Sequence, residues 1–169
     1  QIGRGVFDSQ FKTFPSELQQ TITAYCNQGG NVLVSGAYVG TDLWDNGEVN
    51  VQDLDFAKKV LKYNWRTGQA SVTGEVKSVQ SPFRTISGHY EFYNELNEHS
   101  YVVESPDAIE PADPACFTIY RYSENNLSAG VAYKGKYKTC VLGFPIETLK
   151  SDEQRDKLMA DILLFMSSK

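Results

Sequence analysis

The sequence lacks both the long apolar run of a membrane protein and the positive charge of a nucleic-acid-binding protein. No stretch approaches the roughly 18 uninterrupted apolar residues of a membrane-spanning helix. The net charge is −5 at pH 7, and an acidic surface disfavours contact with a phosphate backbone. The sequence therefore predicts no membrane span and no nucleic-acid partner.

Cysteine and histidine are scarce, with three and two residues respectively. Cys26, Cys116 and Cys140 do not follow a metal-binding or redox spacing. Each lies in an apolar context, which favours a buried free thiol, although a bridge between Cys116 and Cys140 stays open. No pattern indicates a cofactor or a metal, and we expect neither.

The length of 169 residues suits one domain with a core of ordinary size. Neither a linker nor an internal repeat divides the chain, so we predict a single domain over residues 1–169. The chain opens with polar residues that do not form a signal peptide. Because it begins with Gln1, we expect a fragment of a larger protein.

Local patterns predict helices at both ends of the chain and strands in the middle. Ser16 with Gln19, and Ser151 with Gln154, have the spacing of capping boxes that begin helices. Leu18, Ile22, Tyr25 and Cys26 would form the buried face of the first helix. Further predictions are a helix at 52–62, a hairpin at 129–144, and a β-rich insertion at about 63–128 with strands at 70–76, 87–93, 101–104 and 117–122.

An apolar strand at 31–35 runs into the turn GAYVG at residues 36–40. This Gly-x-Tyr-x-Gly spacing is that of a nucleophile elbow, in which a sharp turn presents one side chain above a sheet. The presented residue would be Tyr38. With a reference pKa near 10 and no base beside it, a phenol stays neutral and is a poor nucleophile.

A second segment, GFPIE at residues 143–147, together with the turn resembles the class I glutamine amidotransferase-like superfamily. That family has its nucleophile in a Gly-x-Cys-x-Gly elbow and its His and Glu in a late Phe-His-Pro-Glu type motif. The resemblance implies an α/β fold, a flavodoxin-like three-layer sandwich with a β-rich insertion. Since the elbow begins near residue 31, it also implies that the first strand or strands are missing.

The resemblance implies a vestigial site without catalytic residues. Tyr38 stands at the nucleophile position and Pro145 at the histidine position, while Glu147 keeps its type. A cysteine nucleophile needs a histidine that activates it and protonates the leaving group, and proline transfers no proton. Hydrolysis by this triad is therefore not expected.

The segments at 29–43 and 142–149 also resemble the C-terminal regions of secreted Bacteroidetes proteins that carry the label xanthan lyase. This implies a secreted or cell-envelope location. The expected function is a non-catalytic accessory or ligand-binding domain of a carbohydrate-processing protein, with a polysaccharide or neighbouring domains as partners. Tyr38 and Trp44 would form an aromatic wall at the carboxyl ends of the strands, where ligands of open α/β sheets bind.

Two alternatives stay open. A polysaccharide lyase or hydrolase would use residues of the β-rich insertion, with His89 and Tyr90 as candidate bases and Arg84 neutralising a uronic acid carboxylate. A structural interdomain module would instead show a large apolar surface patch.

Two acidic stretches resemble cation-binding loops without matching one. Residues 42–48 lack the ligand positions of a calcium loop. Glu104, Asp107, Glu110 and Asp113 recur every three residues among prolines, a pattern typical of a solvated extended loop. We expect both stretches to be solvated.

Overall fold

A six-stranded mixed sheet is the largest element of the computed structural model, which describes residues 12–44 and 49–168. The strand order is β1-β8-β7-β6-β3-β4, and β2 pairs with β5 in a second, two-stranded sheet. The strands are β1 (Val32–Ser35), β2 (Tyr63–Thr67), β3 (Glu75–Ser78), β4 (His89–Glu91), β5 (Ala108–Pro111), β6 (Cys116–Tyr122), β7 (Ser128–Lys134) and β8 (Lys138–Leu142). Strands β1 and β8 are parallel, and the other pairs are antiparallel.

The helices are few and mostly short. They are α1 (Ser16–Asn27), α2 (Thr41–Trp44), α3 (Val51–Asp55) and α4 (Asp152–Ser167). A π-helical segment, Phe56–Leu61, continues α3, and a 3₁₀ turn, Ile146–Thr148, precedes α4. Within residues 12–44 and 49–168 no helix is long and apolar enough to cross a membrane.

The apolar side chains form two clusters on opposite faces of the sheet. Because side chains alternate along a strand, Leu33 of β1 packs in one cluster while Val32 and Val34 pack in the other. Helix α4 covers the first cluster with Leu158, Ile162 and Phe165. Helix α1 and the π-helical segment cover the second.

The predicted flavodoxin-like three-layer sandwich is wrong. That fold needs a mostly parallel sheet whose strands alternate with helices, whereas here one pair is parallel and the sheet is a curled, mixed, β-rich one. Strands β3, β4 and β6 come from the stretch predicted as an insertion, yet they belong to the same sheet as β1 and β8. The local patterns located some of the strands correctly, but they did not indicate the order of the strands in the sheet.

The two predicted capping boxes differ in outcome. Ser151 caps α4, since its Oγ accepts a hydrogen bond from the Gln154 backbone N–H at 3.2 Å. At α1 the residue before the first turn is Pro15, with no side-chain cap. Gln19 instead donates to the carbonyl of Phe14 at 2.9 Å and to Asp53 at 2.6 Å.

Some of the strand predictions are confirmed and others are wrong. The hairpin at 129–144 is present as the antiparallel pair β7 and β8, and β6 matches the strand predicted at 117–122. Residues 101–104 form no strand, and β2 and β5 were not predicted. The three cysteines are free and buried, so Cys116 and Cys140 are not bridged.

Candidate functional site

The loops that follow the parallel strands β1 and β8 are joined side by side. Ser35, the last residue of β1, donates from its hydroxyl to the carbonyl of Phe144 at 3.0 Å and accepts from the Ile146 N–H at 2.8 Å. The Gly36 N–H donates to the carbonyl of Leu142 at 3.2 Å. The two segments that the sequence singled out, 36–40 and 143–147, therefore lie next to each other.

The turn at residues 36–40 connects β1 to α2 without the strain of a nucleophile elbow. Among the described residues, positive φ angles occur at Gly29, Lys62, Gly74, Gly88 and Asn126, and none of these lies in the turn. An elbow holds its nucleophile in a sharp, strained conformation. The turn therefore shares the spacing of an elbow but not its backbone.

Tyr38 lines an open groove of about 330 Å³ and is partly buried there. The groove lies between the turn and the irregular segment at 101–105. Its lining residues are Ala37, Tyr38, Tyr101, Val102, Val103, Glu104 and Ser105. Two tyrosines thus share one concave surface beside the parallel strand pair.

Tyr101 is fixed in this groove by Glu147. Its hydroxyl donates to Glu147 Oε1 at 2.6 Å, and 43 % of the residue is exposed. The pKa of Tyr101 is raised far above its usual value. Desolvation is the largest cause, and the contact with the Glu147 carboxylate is the second. The phenol therefore stays a neutral donor, and its ring is held in place while one side remains open to solvent.

A second groove of about 320 Å³ is lined by Glu147 and lies next to the first, since Glu147 accepts from Tyr101. The rings of Tyr93 and His99 lie 5.8 Å apart at 31°. The cations here are paired, Lys150 with Glu91 at 3.1 Å and Arg155 with Asp152. The two grooves together form a surface of aromatic rings and hydrogen-bonding groups.

Pro145 is buried at the start of the 3₁₀ turn. Its carbonyl accepts from the Thr148 N–H at 3.2 Å and from the Thr148 hydroxyl at 2.7 Å. It shapes the loop that carries Glu147 and supplies no proton. The site consequently has no group at this position that could act as the partner of a nucleophile.

Trp44 does not join Tyr38 in an aromatic wall. It is partly buried at the end of α2, where its ring lies 5.9 Å from Tyr63 and 5.9 Å from Lys58 Nζ. Trp44 packs against the second core cluster, whereas Tyr38 packs against the first. Tyr101 shares the groove with Tyr38 instead. The remainder of the acidic stretch, residues 45–48, lies outside the described residues.

Asp107 is the residue that sequence reasoning missed. Predicted as part of a solvated loop, it is completely buried. Its carboxylate accepts from the Gly40 N–H at 2.6 Å, the Thr41 N–H at 3.1 Å, Trp65 Nε1 at 3.0 Å and the Thr41 hydroxyl. These bonds fix the end of the turn that carries Tyr38.

Burial raises the pKa of Asp107 to about 6, although the four donors lower it. The backbone of the same residue joins the other loops: its N–H donates to the Gly143 carbonyl at 2.9 Å, and its carbonyl accepts from the Tyr122 hydroxyl at 2.7 Å. A side chain at Gly143 would collide with the Asp107 carbonyl. Asp107 thus fixes the turn that carries Tyr38 and the loop at Gly143 relative to each other.

The candidate lyase residues are not brought into one cleft. His89 and Tyr90 are consecutive in β4 and point to opposite faces. The His89 side chain is 57 % exposed, with Nε2 3.7 Å from Glu75 Oε2. Tyr90 is buried, donates to the Ser87 carbonyl at 2.8 Å, and has a pKa raised by burial. Arg84 is exposed in the loop before β4.

The thiols are also poor candidates for nucleophiles. Burial raises the pKa of Cys140 to about 12 and, with the help of Asp113, that of Cys116 to about 11. A thiol reacts as its thiolate, and these groups stay protonated near neutral pH. In the part of the chain that the structure describes, no cluster of His, Cys, Asp and Glu could hold a metal ion.

Comparisons with known proteins identify a similar fold and no family. No family model and no curated protein matches the sequence. Among solved structures, the mmIFT52 N-terminal domain is similar with a TM-score of 0.58 and 13 % identity, over 92 % of this chain and 73 % of that one. A chain of the exo-β-1,4-mannosidase Op5Man5 from Opitutaceae bacterium strain TAV5 has a TM-score of 0.49 and 11 % identity, over 91 % of this chain and 24 % of that one.

The predicted membership in the glutamine amidotransferase-like superfamily is overturned by the sheet topology and by the likeness to the mmIFT52 N-terminal domain. The same holds for the flavodoxin-like description of the chain. At 13 % identity the likeness to the mmIFT52 domain concerns the fold alone. The chain therefore shares a β-rich fold with that domain.

Proposed function

We propose that this protein is a non-catalytic ligand-binding domain, an accessory unit of a secreted carbohydrate-processing protein, and that it binds a carbohydrate in the groove between Tyr38 and Tyr101. The observation that carries the proposal is the anchored Tyr101. Tyr101 is 43 % exposed while Glu147 holds its hydroxyl at 2.6 Å. An aromatic ring that is already immobilised loses little conformational entropy when a ligand stacks on it.

The groove combines the two kinds of contact that a sugar offers. The C–H faces of a sugar ring are apolar and stack on aromatic rings, while its hydroxyl groups donate and accept hydrogen bonds. Tyr38 and Tyr101 supply the rings, and the exposed carboxylate of Glu104 supplies acceptors in the same groove, with Glu147 in the second groove beside it. The volume of about 330 Å³ lies at the lower end of the range for small-ligand sites, about 300–1,000 Å³.

The non-catalytic part of the proposal rests on the chemistry of the same residues. General acid–base catalysis needs a group whose pKa lies near the working pH. Tyr101 has a pKa far above that range, and Pro145 has no titratable group. Asp107 titrates near 6 but is completely buried under the turn, where four donors occupy its carboxylate.

A glycan array tests the proposal with the protein and three variants. We expect binding to at least one class of oligosaccharide, and a loss of about tenfold or more in Tyr38→Ala and Tyr101→Ala, because each removes an aromatic contact surface and tenfold corresponds to about 1.4 kcal/mol. Tyr25→Ala is the matched control, since Tyr25 is 53 % exposed on α1 and should leave binding unchanged.

Two results would contradict this function. Absence of binding to every glycan would exclude a carbohydrate ligand. Binding that survives both groove variants would place the sugar elsewhere on the molecule.

A further inference from the structure

The second groove is continuous with the groove that Tyr38 and Tyr101 line. Ser100 lines the second groove, and the next residue in the chain, Tyr101, lines the first. Tyr93, which belongs to the second groove, accepts at its carbonyl from the N–H of Val103, which belongs to the first, at 2.9 Å. The two grooves therefore meet along residues 100–103.

The boundary between the two grooves is the contact of Tyr101 with Glu147. The Tyr101 hydroxyl donates to Glu147 Oε1 at 2.6 Å, and Glu147 lines the second groove. Both residues are exposed. A ligand that stacks on Tyr101 can thus continue past this contact into the second groove.

The second groove has aromatic rings of its own. The rings of Tyr93 and His99 lie 5.8 Å apart at 31°. Backbone hydrogen bonds hold both residues, because the Tyr93 N–H donates to the Thr148 carbonyl at 2.9 Å and the His99 N–H donates to Asn97 Oδ1 at 2.9 Å. His99 is exposed, so its ring offers a contact surface to the C–H face of a further sugar unit.

Polar groups that suit sugar hydroxyls surround these rings. Ser100 and Ser151 contribute hydroxyl groups, and Glu147 and Asp152 contribute carboxylates. A hydroxyl donates and accepts hydrogen bonds, whereas a carboxylate accepts them. The second groove, at about 320 Å³, is nearly as large as the first, at about 330 Å³. It therefore has room for a further part of the same ligand.

The charges around the two grooves are mostly negative. The described residues contribute four carboxylates and two Lys or Arg cations, namely Glu91, Glu104, Glu147, Asp152, Lys150 and Arg155. Both cations are paired, Lys150 with Glu91 at 3.1 Å and Arg155 with Asp152. An acidic sugar would have to displace one of these carboxylates and would lie near Glu104 or Glu147, where like charges repel. The two grooves therefore favour uncharged sugars.

We infer that the ligand is an uncharged oligosaccharide whose chain runs from the first groove, past Tyr101 and Glu147, into the second groove. The inference rests on the proposed function, since it takes the first groove as a sugar-binding site. Tyr38 and Tyr101 contact one part of the chain, and His99 contacts a later part. A short sugar fills one groove, whereas a longer chain fills both and gains the second set of contacts without a second association step.

Isothermal titration calorimetry with sugars of different length and charge tests this inference. The neutral probes are the disaccharide and the hexasaccharide of whichever series, built from glucose, mannose, xylose or galactose, binds best on the array. The acidic probe is a hexasaccharide of galacturonic acid. We expect the neutral hexasaccharide to bind about tenfold or more tightly than its disaccharide, and the acidic hexasaccharide to bind more weakly than the neutral one.

Substitutions in each groove separate the two contributions. His99→Ala should weaken binding of the neutral hexasaccharide about fivefold or more and leave the disaccharide unchanged, because the shorter chain occupies the first groove. Tyr101→Ala should weaken binding of both sugars. Leu96→Ala is the matched control, since Leu96 is 95 % exposed in the same irregular segment as His99 and should change neither affinity.

Several results would overturn this inference and leave the proposed function in place. These are equal affinity for the neutral disaccharide and hexasaccharide, and a hexasaccharide that His99→Ala does not weaken or weakens no more than the disaccharide. Tighter binding of the acidic hexasaccharide, or array binding confined to acidic glycans, would do the same. Absence of binding to every glycan would overturn the proposed function and this inference with it.

Discussion

At the scale of single residues, Asp107 connects the stability of the fold to the shape of the candidate site. It lies between β5 and the groove residues Val103 to Ser105, and it holds the turn at 36–40 through four donors. Without it the Gly40 N–H would be left buried and unsatisfied, and three partly buried donors would lose their partner. The residue is therefore expected to be decisive for the geometry around Tyr38.

Asp107→Asn should destabilise the protein by about 2–4 kcal/mol at pH 4, because both oxygens of the carboxyl group accept hydrogen bonds, whereas the amide nitrogen accepts none and would face the donors of the turn. The effect should depend on pH. The folded pKa is raised from 3.8 to about 6, so the stability that wild-type Asp107 contributes is fully present below pH 4 and is lost as pH rises toward 6. The difference in unfolding free energy between wild type and Asp107→Asn should fall by up to about 3 kcal/mol over that interval.

Urea unfolding at several pH values measures this difference, with Glu104→Gln as the control. Glu104 is exposed three residues away in the same acidic stretch, so its substitution should show no such trend. A difference that stays constant between pH 4 and 6 and grows with pH below 4 would mean that the four donors outweigh burial and that the pKa of Asp107 is lowered.

The sequence allowed part of the site to be predicted at this scale. The proximity of the segments around Tyr38 and Glu147 followed from two motifs at strand ends, and the structure places them together. Tyr101 and Asp107 gave no comparable signal, because both lie in irregular segments that are brought to the site by long-range contacts. Acidic residues that recur every three positions are usually solvated, so this pattern did not indicate that the Asp107 carboxylate is buried.

At the scale of elements, Lys138 fastens helix α4 to the sheet. Lys138 begins β8 and is 7 % exposed. Its ammonium group donates to the carbonyls of Phe165 at 2.9 Å, Met166 at 3.1 Å and Ser168. Phe165 and Met166 lie in the last turn of α4 and Ser168 follows it, and a positive charge at this end also interacts favourably with the helix dipole.

Lys138→Met should therefore lower the unfolding free energy by about 1.5–3 kcal/mol, the range for hydrogen bonds to a charged group. Thermal or urea unfolding measures the change. Lys136→Met is the matched control, because Lys136 is exposed in the same hairpin; an equal loss of stability in both variants would contradict the role of Lys138.

The elements that could be predicted from the sequence are those with strong local patterns. Helix α4 has a capping serine and apolar residues at helical spacing, and the hairpin of β7 and β8 has a short glycine-containing turn. Strands β2 and β5 were missed because each is short and mixed in polarity, and β5 ends at a proline. Their pairing joins residues more than 40 positions apart, which local periodicity does not report.

At the scale of the whole molecule, the order of the strands could not be derived from the same patterns. A helix, a glycine stop and an apolar strand favour a parallel sheet, and β1 does pair in parallel with β8. The remaining neighbours are antiparallel, and strands from the middle of the chain complete the sheet. The predicted flavodoxin-like sheet was wrong because it extended one parallel pair to all of the strands.

The groove beside the carboxyl ends of β1 and β8 contains tyrosine rings and a carboxylate, which fit a polar ligand with apolar faces. Carbohydrate binding in the groove is tested most directly by NMR mapping of the backbone amides during titration with the tightest-binding oligosaccharide of the array. We expect chemical-shift changes concentrated at residues 37–38, 101–105 and 147, with smaller changes around Tyr93 and His99. Changes concentrated around His89 in β4 instead, or no changes at saturating sugar, would contradict the groove as the binding site.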